Sequence, residues 1–398
     1  MGASYSLEAT TGLRSRLRPV ALRRVWPLAV ALIVIAVIGA SLIFTKQGRP
    51  AVISAFLLPD MMVELPVRPV TWFTADPVVE RTFIDYGSGR ILADIYRPPD
   101  DERHATILFS MGAPPLDLDD SRLVKLGEDM ARAGVVMVIP FSNRLDAEII
   151  APEEIDTLVG IFEHVERQRY VDPERVGFVG VSIGGSLALL AAADPRIAER
   201  VDYVVSFGGY FDAVDTLVAV GSGRIAYDGV VEEWEPDSHT VRVMAVQLIE
   251  ALSGRDAQLL RRVFVRGEQV SAAELAQLSA EGRASYEFMT NDDPDRTLEL
   301  LDQLPKAALE RLEQLSPSRV VDALQAELFI IHDRGDAFVP YVESRRLRDA
   351  LAGREDVHFT EVSLFEHVEP RLGRGGDVLV LDGTRLYFRL YQLLLKLS

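Results

Sequence analysis

With 398 residues, 48% of them hydrophobic, the chain has ample apolar material for a full core, which excludes a disordered polymer. The formal net charge is −18, yet the first fifty residues carry seven Lys or Arg against one acid, a local balance of +6 that leaves the remainder near −24. So acidic a body repels phosphate backbones and excludes nucleic acid as its partner. Cysteine is absent, which removes disulfides, thiolate nucleophiles and Cys-ligated metals together.

Residues 1–24 form a basic arm containing Arg14, Arg16, Arg18, Arg23 and Arg24. Residues 25–45 follow without a charge, close to the twenty apolar residues that cross a hydrocarbon core, and predict a transmembrane signal-anchor helix. The positive-inside rule then puts the N-terminus in the cytoplasm and the large domain outside it, with the membrane as a partner. The alternative is secretion after cleavage of a signal peptide near Ile38-Gly39-Ala40-Ser41. Residues 46–79, rich in Pro and apolar side chains, read as a linker lying along the domain or the bilayer.

From residue 80 the chain alternates β-rich runs with amphipathic stretches, the rhythm of an α/β sheet. Thr82 to Tyr86 and Ile91 to Tyr96 predict a hairpin around Gly87-Ser88-Gly89-Arg90. Strand Thr106 to Ser110 comes next, then a helix from about Leu123 to Ala133 closed by Gly134, and the strand Val135 to Ile139, which Pro140 should stop. A helix through Ile155 to Phe162 leads to a turn at Asp172-Pro173-Glu174 and the strand Arg175 to Val179. A small-residue helix spans Gly184 to Ala193, and Tyr203 to Phe207 is another strand. Residues 208–326 are mainly helical and acidic without an evident buried strand, a length that reads as a cap or lid. The sheet resumes with Leu328 to Ile331, a helix near Val342 to Leu351, the strand Val357 to Val362 and a last helix over about Thr384 to Leu395.

Gly180-Val181-Ser182-Ile183-Gly184 follows an apolar strand and opens a helix, the setting in which a tight turn lifts a serine hydroxyl above a sheet. That hydroxyl needs a base. Of six histidines, His104, His164, His239, His332 and His358 fall before or within strands, in a helix or in the cap, whereas His367 alone falls in a loop after the last strand. Asp336, in His332-Asp333-Arg334-Gly335-Asp336-Ala337-Phe338-Val339-Pro340, supplies an acid to orient the imidazole, with Asp333 as its rival. Asp117-Leu118-Asp119-Asp120 reads as a loop and helix N-cap and not as a metal site. Glu232-Glu233-Trp234-Glu235 reads as cap surface.

Gly180 to Gly185, His332 to Pro340 and His367 resemble the nucleophile elbow, acid loop and histidine loop of the α/β-hydrolase superfamily over residues 80 to 398. Asp94 to Pro98 and Asp172 to Val176 look like its bacterial esterase, prolyl-oligopeptidase-like and dienelactone-hydrolase-like branch. The resemblance implies an α/β-hydrolase core over 80–207 and 327–398, with 208–326 as a helical cap insertion. It implies a serine hydrolase that uses neither metal nor organic cofactor and cleaves esters, amides or related acyl compounds through an acyl-enzyme. Together with the expected anchor the reading is a membrane-anchored hydrolase of a carboxylic ester, with Ser182 as nucleophile and His367 and Asp336 completing the triad. The alternatives are a peptidase or amidase of the same fold and a non-catalytic binding protein. A small acyl substrate, hydrophobic or lipid-like beside a bilayer, is the expected partner. Where the family commonly has His-Gly, this chain has Met111-Gly112, so the oxyanion donors are expected at the backbone of Ala113 and Ile183. Met111, Gly112, Tyr210 and Phe211 are expected to line the substrate site.

Overall fold

The structure is a computed structural model describing residues 30, 33–34, 37, 42, 45–63, 68–87, 89–113, 116–367, 369–371 and 375–398. The chain divides into two compact units, 1–52 and 53–398. The expected transmembrane helix is corrected: no helix of the described residues is long and apolar enough to cross a membrane. Most of 25–45 lies outside the described residues. Helix α1, Gly48–Met62, has 15 residues and is roughly 22 Å long, short of a hydrocarbon core of about 30 Å. The 21-residue helix Gly376–Lys396 has the length but carries Asp377, Asp382, Arg385, Arg389 and Lys396. The membrane partner, the single-pass topology and the anchored esterase all rested on that span and fall with it.

The second unit is built on an eight-stranded sheet of order β1-β2-β4-β3-β5-β6-β9-β10. The strands are β1 Val78–Tyr86, β2 Gly89–Arg97, β3 His104–Ser110, β4 Val136–Phe141, β5 Val171–Val181, β6 Tyr203–Phe207, β9 Glu327–Asp333 and β10 Val357–Val362. β1 pairs antiparallel with β2, and β2 with β4; every later pairing in this sheet is parallel. This is the strand order and direction of the α/β-hydrolase fold. β3 has β4 on one side and β5 on the other, so the strand order reverses there and a crevice opens at their carboxyl ends, where Ser110 pairs with Gly180.

Alternate residues of each strand feed opposite layers, as a pleat requires. Val136, Val138 and Phe178 bury against α3, Glu153–Val165, and α4, Ile183–Ala192, on one face. Met137, Ile139, Ile107 and Phe109 bury on the other, with Met130 of α2, Ser121–Ala133, and Leu394. The segment expected as a linker along the domain or the bilayer contributes Ile53 and Leu57 to that second layer from α1.

Two local expectations change. Pro140 lies inside β4, paired with Ala93 of β2; pairing with β3 has ended at Val138, so no partner on that edge needs the missing N–H. The expected turn at Asp172-Pro173-Glu174 is an irregularity within β5, where the pairing with β3 jumps from His104↔Val171 to Thr106↔Val176.

Between β6 and β9 the chain forms the helices α5 Ala213–Ser222, α6 Ser238–Ile249, α7 Gly254–Phe264, α8 Ala280–Met289 and α9 Lys306–Gln314. It also forms a hairpin, β7 Arg224–Tyr227 with the exposed β8 Val230–Glu233, turned by Asp228 and Gly229, both at positive φ.

Glycine is required where α4 meets the sheet. A Cβ on Gly184 would lie 2.1 Å from the Ser110 carbonyl oxygen, and one on Gly180 would lie 2.2 Å from that of Gly184. Backbone cannot yield as a side-chain tip does, so Gly184→Ala is expected to destabilise by about 3 kcal/mol and lower the unfolding midpoint by about 5 °C or more. Gly383→Ala, in a helix with open space around it, serves as the control and should be neutral or stabilising by about 0.5 kcal/mol in the same thermal scan.

Candidate active site

β5 ends at Val181, and Ser182 turns the chain into α4 with φ 55° and ψ −135°, a conformation that costs a non-glycine residue about 1–3 kcal/mol. The strain is held by backbone bonds on both sides: Ser182 N–H donates to the Phe207 carbonyl at 2.8 Å, and Gly185 N–H to the Ser182 carbonyl at 2.8 Å. Ile183 is the first residue of α4, so its N–H has no acceptor within the helix and the helix's partial positive charge gathers there.

Asp336 and His367 are brought together although 31 residues separate them. His367 Nδ1 lies 2.7 Å from Asp336 Oδ2, and the ring stacks on Phe338 with centroids 4.7 Å apart. Both residues are buried. With Nδ1 donating to the carboxylate, Nε2 carries no proton and can accept one. Gly208, at φ +66°, makes room: a Cβ there would stand 3.3 Å from His367 Cε1 and 3.4 Å from Asp336 Oδ2.

Asp336 Oδ1 accepts from the N–H groups of Phe338 at 2.7 Å and Val339 at 3.0 Å. His332, whose role the sequence did not reveal, sits with Nε2 3.3 Å from Asp336 Oδ2 and 3.1 Å from the Val339 carbonyl. Burial alone would raise the Asp336 carboxyl, but hydrogen bonds from His332 and His367 outweigh it and hold the group well below the usual carboxylate range. The rival Asp333 is tied to backbone, accepting from Gly335 N–H and Phe365 N–H, each at 2.7 Å.

Ser182 and His367 line one cavity of about 670 Å³, together with Met111, Gly112, Ala113, Ile183 and Tyr210. Gly112 lies against the serine: a Cβ there would be 3.0 Å from Ser182 Cβ. Phe211 is not part of that wall. It packs into the core, and its N–H donates to Glu343. The remaining wall combines apolar side chains such as Leu126, Val243 and Met244 with charged ones of both signs, including Asp60, Lys125, Arg122 and Glu369.

Asp120 caps α2, accepting from Arg122 N–H at 2.8 Å. Trp234, expected on the surface, is buried, and its Nε1–H donates to the Asp336 carbonyl at 2.9 Å.

Glu343 holds the strand-end loop behind Tyr210: its Oε2 accepts from Phe211 N–H at 3.0 Å and Asp212 N–H at 2.8 Å, and Oε1 pairs with Arg346 at 2.7 Å. Burial pushes its carboxyl up to about 7 against those partners. The folded state therefore keeps a proton that the unfolded chain has released above about 4.5, so this group's stabilisation is lost as pH rises through 4.5 to 7. Urea unfolding at pH 5 and pH 8 should show Glu343→Gln gaining roughly 3 kcal/mol relative to the natural chain over that interval.

No protein-family model matches the chain, and no curated protein matches it in sequence. Among solved structures it is similar to the acylaminoacyl peptidase of Pyrococcus horikoshii, with 14% identity and a TM-score of 0.46, over 82% of this chain and 42% of that one. A puromycin-hydrolysing peptidase of Mycobacterium tuberculosis is similar at 15% identity and a TM-score of 0.46, over 83% of this chain and 42% of that one. The esterase domain of a Rhodothermus marinus protein is similar at 13% identity and a TM-score of 0.43, over 79% and 98%. The chain thus spans less than half of the two peptidases. Its own strand order puts it in the α/β-hydrolase fold class.

Proposed function

We propose that this protein is a serine hydrolase acting on amide or peptide-like acyl compounds through an acyl-enzyme on Ser182. The supporting observation is the buried His367–Asp336 contact facing the same cavity as a strained serine at the sheet's switch point. His367 Nε2 takes the hydroxyl proton as Ser182 Oγ attacks the carbonyl carbon, and the ionised Asp336 stabilises the imidazolium. The N–H groups of Ile183 and Ala113 hold the oxyanion. His367 then returns the proton to the departing amine, and water releases the acid by the reverse route. The charged side chains of the cavity wall are paired among themselves, Lys125 with Asp60 at 2.9 Å and Arg122 with Glu369 at 3.0 Å, so the apolar side chains of Leu126, Val243 and Met244 are what the wall offers to the acyl group.

The test is a fluorophosphonate probe followed by a panel of aminoacyl and peptidyl anilides, aryl esters and lipid esters, measured on the full chain. Covalent labelling with turnover of the anilides is expected. Labelling with ester turnover alone would make the protein an esterase. A folded chain that neither labels nor turns over would be a binding protein of this fold.

A further inference from the structure

The usual histidine before the oxyanion loop is replaced by Met111, yet a histidine reaches that loop from another direction. His239 stands at the start of α6 in the cap, and its Nε2 lies 2.7 Å from the Ala113 carbonyl oxygen. Its Nδ1 faces Arg242 Nη2 at 3.0 Å. A guanidinium only donates, so Nδ1 must accept, and the ring proton is placed on Nε2, pointing at Ala113. Arg242 is itself fixed by Glu148, with Nε 2.9 Å from Oε2, while Gln247 of the same helix donates to the Glu148 carbonyl at 2.8 Å. The next peptide joins Ala113 to proline, which has no N–H, so the carbonyl is the only hydrogen-bonding handle on that peptide unit.

The same stretch of cap grips the acid loop. Trp234 Nε1–H donates to the Asp336 carbonyl at 2.9 Å, Asp237 N–H to that of Ala337 at 2.8 Å, and the Thr240 hydroxyl to that of Phe338 at 3.0 Å. Three successive carbonyls of the loop that carries the acid, and one of the loop that carries an oxyanion donor, are thus held by four residues, Trp234, Asp237, His239 and Thr240, within one seven-residue stretch of cap.

We propose that His239 is a positioning residue for the oxyanion loop, its Nε2–H fixing the Ala113 carbonyl and through it the direction of the Ala113 N–H, so that the active site is assembled only with the cap docked. The catalytic part of this proposal rests on the serine-hydrolase reading above. It differs from a general packing role because only a donor at the Nε2 position can serve.

His239→Leu keeps the bulk without the donor, and His239→Gln can present an amide N–H to Ala113 while its oxygen accepts from Arg242. On the full chain with p-nitrophenyl butyrate and an aminoacyl anilide, kcat is expected to fall roughly 10- to 100-fold in His239→Leu with KM within about threefold, and to recover most of the loss in His239→Gln. Hydrogen exchange of the segment covering residues 106–113 reads the loop without turnover and should be faster in His239→Leu than in the natural chain or His239→Gln. Unchanged exchange in His239→Leu, or a Gln variant as slow as the Leu variant, overturns the positioning role. Faster exchange with rescue by Gln, in a chain that hydrolyses none of these compounds, supports the positioning role while sinking the serine-hydrolase reading.

Discussion

Ser182→Ala is expected to lower turnover by at least about 10⁴-fold and to abolish fluorophosphonate labelling, with KM nearly unchanged for any substrate whose residual turnover can be followed. The size follows from what the hydroxyl does: without it there is no acyl-enzyme, and the oxyanion donors and binding alone supply only the residual rate. Stability gives an independent reading. Alanine must keep the φ of 55° that the elbow imposes, whereas glycine adopts it freely. Ser182→Gly should therefore be more stable than Ser182→Ala by about 1 kcal/mol, although both are inactive. Labelling that persists in Ser182→Ala would move the nucleophile to another residue.

The parts of this molecule that obey local periodicity could be read from its sequence. Strands β3, β6 and β9 are short apolar runs and β10 a short alternating one, all close to their expected bounds, and Ser182, Asp336 and His367 could be placed in order because each follows a strand, β5, β9 and β10 respectively. Features set by tertiary pairing could not. Pro140 stays in its strand because of which neighbour stops first, and the break in β5 exists only as a mismatch with β3. The cap hairpin had a turn signal in Asp228-Gly229, but β8 is exposed along its length and so shows no buried alternation. His332 was recoverable in hindsight, since its four-residue spacing from Asp336 spans a tight loop. His239 was not: its partner Ala113 lies 126 residues away, and nothing in either neighbourhood points to the other. The apolar run at 25–45 shows the reverse hazard, because a length-and-hydropathy criterion predicts a span that no described helix satisfies.

Asp336→Asn is expected to cut kcat by roughly 10⁴-fold while leaving a folded chain, and Asp333→Asn to lower stability with turnover per folded molecule largely kept. An asparagine at 336 has one acceptor oxygen where the carboxylate has two. If that oxygen takes the N–H groups of Phe338 and Val339, its NH₂ faces His367, which must then accept at Nδ1 and carry its proton on Nε2, where the base is needed. If the amide is reversed, two backbone donors point at an NH₂, and the loop that His332 and Trp234 also hold must shift. Asp333 serves Gly335 and Phe365 instead, so the amide there loses a backbone bond worth about 1–3 kcal/mol without touching the imidazole. The charge matters for stability as well: a carboxyl held far below its ordinary value contributes stability that is present above about pH 3.8 and disappears only as pH falls through its lowered value. Asp336→Asn should therefore lose stability relative to the natural chain at neutral pH and regain part of it in strong acid. Steady-state kinetics and urea unfolding of the two asparagine variants decide the matter, and a larger kinetic loss at 333 than at 336 would assign the acid to Asp333.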